Sequence, residues 1–139
     1  MIIADTGFLY AIANRADKYH KNAVELISQL TEGLVTTWPV VTETSHLLLQ
    51  RMGTLAHAKF IDNIFEGSIK IQNLPDDSIE QIPKLIKKYS DLPMDLADAS
   101  LVLLADLLGS GRIASTDTRD FKTYRWKNHK PFQNVLISD

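Results

Sequence analysis

Apolar positions along this chain follow two periods in turn, and the switching between them outlines the fold. "MIIA" (1–4) is a short, β-branched apolar run, as expected of a strand buried on both faces. After Asp5, Thr6 and Gly7, "FLYAIANR" (8–15) reads as a short helix. Residues 17–33 repeat apolar side chains at Tyr19, Ala23, Leu26, Ile27 and Leu30, a helical period closed by Gly33. "LVTT" (34–37) is a second strand, and Pro39 suits the first turn of a helix running to Met52 and stopped by Gly53. Thr54 is placed to cap a further helix whose stripe of Leu55, Ala58, Ile61 and Phe65 is expected in the core. "SIKIQN" alternates as a strand does, and residues 77–90 return to the helical period with a kink expected at Pro83. "MDLADASLVLLADLLG" (94–109) is an almost wholly apolar helix ended by Gly109, and "RIAST" and "NVLI" close the chain as strands.

Strands that alternate with helices or helix pairs imply an α/β fold: a three-layer α/β/α arrangement around a mainly parallel sheet. With 139 residues, no internal repeat and no linker-like tract, the chain is expected to form one domain spanning 1–139. The absence of cysteine excludes disulfides and thiolate metal sites. No apolar run reaches the length of a membrane span, and Asp5 interrupts the N-terminal run too early for a secretory leader, so a cytoplasmic protein is expected. The net charge of −2 decides nothing about nucleic acid. Its distribution says more, because Arg112, Arg119, Lys122, Arg125, Lys127 and Lys130 face only Asp117 and Asp120 in the same segment.

In a parallel sheet the ligand site lies beyond the carboxyl ends of the strands, and carboxylates stand there. Asp5 follows the first strand and Asp117 follows "RIAST". Asp98 and Glu43 fall in the first turns of helices entered from the same edge. Clustered carboxylates repel and take up protons unless a cation holds them together. An oxygen-only donor set favours Mg²⁺ or Mn²⁺ over Zn²⁺, and such a site suits phosphodiester hydrolysis. Each acid also has a plainer reading. Asp5 can cap the helix that follows it, and Glu43 can be an ordinary first-turn glutamate. Asp95 fits an N-cap better than a ligand, with Asp98 as its N3 partner in a weak capping box. Asp117 and Asp120 can be turn residues. Taken together at one sheet edge, the acids point to a cation.

Cations and aromatics interleave in "DFKTYRWKNHKPF", where Arg119, just before the stretch, and Lys122, Arg125, Trp126 and Lys127 within it are candidate RNA contacts. The competing reading is a solvated turn whose aromatics close the core. His46, three residues after Glu43, is a weaker candidate for substrate contact.

The residues resemble one family. "IIADTGFLYAIANRADKYH", "TTWPVVTETSHLL", "LPMDLADASLVLLADLLG" and "RIASTDTRDFKTYR" are similar, in order, to the four acidic motifs of PIN-domain proteins, in particular the small VapC-like toxins. The resemblance runs over the whole chain. It implies a Mg²⁺- or Mn²⁺-dependent ribonuclease whose acidic pocket is formed by Asp5, Glu43, Asp98 and Asp117. In the same way it implies that Thr6 and Thr116 orient carboxylates or water and that Asp95 is a supporting acid. It further implies an RNA substrate, a small antitoxin partner, a homodimer, and dimer or antitoxin contacts on the Leu55–Phe65 stripe. The rival from another class is a non-catalytic RNA-binding or scaffold module on the same fold. A phosphatase of the haloacid dehalogenase type fits less well, because "ADTGF" lacks the second aspartate of the D-x-D signature.

Overall fold

The computed structural model describes residues 1–137. Five strands form one parallel sheet: β1 (Ile2–Ala4), β2 (Leu34–Thr36), β3 (Ile69–Ile71), β4 (Arg112–Ala114) and β7 (Gln133–Asn134), in the spatial order β3-β2-β1-β4-β7. The central strand is the most apolar, and Ile2, Ile3 and Ala4 are fully buried. The connections are helical, as parallel pairing requires. They comprise α1 (Thr6–Ala13), α2 (His20–Gln29), α3 (Trp38–Met52), α4 (Thr54–Phe65), a 3-10 turn (Asp76–Gln81) leading into α5 (Ile82–Lys88), and α6 (Leu96–Leu108). After β4 come a single turn, α7 (Asp120–Thr123), and a small antiparallel hairpin of β5 (Arg125–Trp126) and β6 (Lys130–Pro131). The result is the expected three-layer α/β/α sheet. No helix of the described residues is long and apolar enough to cross a membrane.

The helix most apolar in sequence is the most buried. Every residue of α6 from Ala99 to Ala105 is inaccessible, and the helix packs on β1, α3 and α5. Gly109 ends it in the left-handed conformation at φ 68°, where a Cβ would be strained.

Several local expectations are corrected. The second helix stops at Gln29, not Gly33, because the Gly33 carbonyl accepts the Ile2 amide and already belongs to the sheet. Gly53, at φ 92°, ends α3 and begins α4, so Thr54 is the first helical residue and not the cap. Pro83 does not kink a helix: it sits in the first turn of α5, where a missing N–H costs nothing, and the preceding turn is 3-10. The last strand covers only Gln133 and Asn134, because the Asn134 side chain accepts the amides of Leu136 and Ile137 and bends the chain away.

The apolar stripe of α4 does not enter the core. Leu55 is 87 % and Phe65 91 % exposed, with Ala58 and Ile61 beside them, and the helix buries Phe60 instead. The segment carries two apolar faces, and β3 and α3 take the one bearing Phe60.

Trp126 of the hairpin lies over Gly111, with its indole N–H donating to the Pro131 carbonyl at 3.1 Å. A Cβ built on Gly111 would stand 2.2 Å from Trp126 Nε1 and 2.7 Å from Cδ1. A planar ring cannot fold away from such a clash. Gly111→Ala is therefore expected to lower unfolding free energy by about 1–3 kcal/mol in a denaturant titration.

Candidate active site

The order of connections reverses beside β1: β2 and β3 are laid down on one side of it, and β4 returns on the other. A crevice at the carboxyl ends of β1 and β4 follows from this reversal. A cleft of about 330 Å³ opens there, lined by Asp5, Glu43, Asp95, Asp98, Asp117 and Asp120, with Thr6, Gly7 and Thr116. The four acids expected at the site are thus brought together from four separate segments.

Asp5 is buried to 6 % exposure and serves two purposes. Its Oδ1 accepts the Phe8 amide at 2.8 Å, which caps α1, and its Oδ2 accepts the Ser115 hydroxyl. Ser115 is fully buried and also accepts the Asp117 amide at 2.9 Å, so one hydroxyl couples the first acid to the last. Asn134 in turn brackets Ser115: its Oδ1 accepts the Ser115 amide and its Nδ2 donates to the Ser115 carbonyl at 2.9 Å. Asp117 Oδ1 accepts the amides of Arg119 and Asp120, closing the turn into α7.

Asp95 caps α6, its Oδ1 accepting the Asp98 amide at 2.8 Å. Asp98 in the first turn does not complete a capping box. Its Oδ2 accepts the hydroxyl of Tyr124, a fully buried ring at 3.1 Å that packs edge-on against Tyr89 and Phe121. Glu43 is half-buried on the second turn of α3 and accepts no hydrogen bond among the described residues. Asp95→Ala should therefore cost about 1 kcal/mol in thermal or chemical unfolding, as for a lost cap.

Burial and mutual repulsion appear in the acidities. Asp5 is pushed up to about 6, first by burial and further by Asp117 and Glu43, against the lowering effect of the Ser115 and Phe8 hydrogen bonds. Asp98 is pushed up to about 7, first by burial and then by Asp95, with the Tyr124 bond opposing. Asp120 is raised by burial and by Asp117. Tyr124 is held protonated by burial and by the Asp98 charge. The only ion pair at the cleft among the described residues is Arg119 with Asp120, at 3.3 Å.

The donor set fits a hard divalent cation. All of the polar side chains are oxygen donors, and the Thr6 Oγ1 is buried beside the acids with no partner among the described residues. Gly7 keeps the wall open, since a Cβ there would stand 2.0 Å from Thr116 Oγ1 and 3.7 Å from Asp5 Oδ1. Among the described residues no three acidic side chains form a ready-made metal cage. Mg²⁺ requires none, because it keeps several waters and takes few direct carboxylates.

The basic-aromatic segment divides. Arg119 and Lys122 stay beside the acids on the α7 turn. Arg125 spends its guanidinium on the carbonyls of Lys122, Thr123 and Tyr124, holding the end of that turn. Trp126 is buried between the Gly111 backbone and the hairpin, so its face is closed to a base. The Lys127 amide donates to Asp106 Oδ1, two helical turns (about 12 Å) down α6 from Asp98. Trp126 and Lys127 therefore lie away from the cleft. The exposed His46 is not among its lining residues.

Sequence reasoning passed over Ser115, Asn134 and Tyr124. The first lies next to the chosen Thr116, and the other two reach the acids only through tertiary packing.

Residues 2–127 match the PIN-domain family. Ribonuclease VapC26 of Mycobacterium tuberculosis is 31 % identical over 124 residues, covering 89 % of this chain and 92 % of that protein. Among solved structures, the M. tuberculosis toxin VapC20, described as cleaving the sarcin–ricin loop, superposes with a TM-score of 0.79. It is 22 % identical, and the match covers 86 % of this chain and 92 % of that one.

Proposed function

This chain belongs to the PIN-domain family, and on that footing we propose that it is a Mg²⁺- or Mn²⁺-dependent endoribonuclease, the toxin of a toxin–antitoxin pair acting in the cytoplasm. The observation that carries the reading is the meeting of Asp5, Glu43, Asp98 and Asp117, from four segments, in one cleft at the point where the sheet order reverses. The capping roles of Asp5 and Asp117 do not compete with this: each cap takes Oδ1, and Asp5 Oδ2, which accepts the Ser115 hydroxyl, keeps a second lone pair.

Asp5, Glu43, Asp98 and Asp117 would hold the cation, few of them directly and the rest through its water shell. When bound, it supplies positive charge to the phosphate oxygens and makes water a better nucleophile near neutral pH. The chain provides the rest. Ser115 fixes the spacing of Asp5 and Asp117, and Tyr124 fixes the rotamer of Asp98. Thr6, with its unpartnered hydroxyl, and Thr116 line the space where water or a phosphate oxygen would be oriented. Arg119, paired with Asp120 at the cleft, and Lys122, in the recess beside Asp117, would meet an RNA backbone.

The exposed Leu55, Ala58, Ile61 and Phe65 form an apolar face of the kind that partners cover. We assign it to a second copy of the chain, with the antitoxin closing the acidic cleft. The experiment is cleavage of single-stranded RNA in Mg²⁺. The wild-type chain should cut, and both a chelator and Asp5→Asn should reduce cutting by about a hundredfold or more. Undiminished cutting by Asp5→Asn would remove the reading.

A further inference from the structure

Trp38 is 56 % exposed, an unusual position for an indole that packs on no other ring among the described residues. It opens α3 directly after β2, at the same sheet edge as the acids. Its orientation is set, since Nε1 donates to Asn73 Oδ1 at 3.2 Å. Asn73 and Gln72 follow β3 at that edge, where the Gln72 amide donates to the Thr36 carbonyl at 2.9 Å and the Gln72 side chain donates to the Asn73 carbonyl at 3.0 Å. Between them lies a recess of about 360 Å³, with Trp38, Pro39 and Leu74 as apolar surface and Gln72, Asn73 and Asp76 as polar edge.

We propose that this recess is a nucleobase subsite, in which an unpaired base of the RNA stacks on Trp38 while Gln72, Asn73 and Asp76 meet its hydrogen-bonding edge. The inference rests on the ribonuclease reading and deepens it. An aromatic face supplies base affinity without needing a particular sequence, and amide and carboxylate groups beside it add preference. The recess contains Asp76 and no lysine or arginine, so its chemistry rejects a phosphate or an acidic peptide and suits a neutral ring. The Asp76 carboxylate, an acceptor only, favours a base that presents N–H groups.

The recess neighbours the cleft along the start of α3. Pro39 lines one and Val40 the other, and the recess lies over β2 and β3 while the acids lie over β1 and β4. The offset is roughly two strand spacings, about 10 Å. The recess is firmly held at Thr37, whose buried Oγ1 lies 2.6 Å from the buried Ser100 Oγ and ties the start of α3 to α6.

The test uses the full chain carrying Asp98→Asn, in Mg²⁺, with a short mixed-sequence single-stranded RNA and the same oligomer made abasic. Of the two tryptophans, Trp126 is buried and Trp38 is exposed, so a stacked base quenches Trp38. The expected result is strong quenching by the RNA and little by the abasic oligomer. Adding Trp38→Ala should weaken RNA binding, read by anisotropy, by about tenfold or more. Equal quenching by the abasic oligomer, or none by either, overturns the subsite, and so does undiminished binding by the Trp38→Ala protein. The ribonuclease reading is judged separately, by divalent-dependent cleavage of the RNA by the wild-type chain, which survives loss of the subsite.

Discussion

Asp98→Asn is expected to reduce RNA cleavage by at least about a hundredfold and, in the same protein without metal near pH 8, to raise the melting temperature. The two effects have one cause. Asp98 sits in the first turn of a helix buried from Ala99 to Ala105, its pKa pushed up to about 7 by burial and by Asp95. Above that pH the folded protein carries a carboxylate that the unfolded chain would ionise more easily, and only a cation offsets the cost. Asparagine keeps the shape and can still accept the Tyr124 hydroxyl through its own oxygen. It also removes the charge. Allowing for the solvent that reaches Asp98, the gain should be about 1–2 kcal/mol. A structural role alone predicts the opposite sign for stability, so thermal melting beside the cleavage assay separates the two. Sites kept under such tension trade stability for activity.

The metal-free wild-type protein should lose stability as pH rises from about 5 to about 8. Asp5 and Asp98 both have folded pKa values above the ordinary carboxylate value of 3.8, at about 6 and about 7. Between the unfolded and folded values the native state binds more protons than the unfolded state, so unfolding free energy falls with pH there. The contribution is complete below about pH 4 and is spent once pH passes about 7. From about pH 5 to pH 8 the fall should be on the order of 2–3 kcal/mol, or roughly 10 °C in melting temperature for a domain of this size. Mg²⁺ or Mn²⁺ at pH 8 should restore most of it, because a ligand that binds only the folded state stabilises it. A stability flat across this range, or one that rises with pH, would mean the two carboxylates are not under the strain described.

The acids were legible in the sequence because position alone reveals them. An aspartate that ends a buried strand, as Asp5 does after Ile2–Ala4, must lie at the carboxyl edge of a parallel sheet, and the same holds for Asp117 after β4. Asp95 was legible as the cap of α6 because cap geometry is local, and both it and Asp98 line the cleft. What could not be read was long-range. Ser115 reaches Asp5 across 110 residues of chain, and Tyr124 reaches Asp98 across 26, with no local pattern to announce either. The α4 stripe misled for a different reason. Period identifies an apolar face but not whether the core or another molecule covers it, and here the core took the Phe60 side. In "DFKTYRWKNHKPF" composition suggested RNA, yet alternation decided the outcome: Tyr124 and Trp126 point inward and Arg125 caps a turn. The base-stacking tryptophan proposed here is Trp38, in the quoted stretch "TTWPVVTETSHLL" that carries Glu43.

The most direct measurement titrates Mn²⁺ into the chain with single-stranded RNA present, following bound ion by electron paramagnetic resonance and cleaved RNA in the same sample. Ion binding and cleavage should rise together, and Asp5→Asn should abolish both while the fold persists. Cleavage that proceeds in excess chelator, or ion binding that Asp5→Asn leaves untouched, would contradict this.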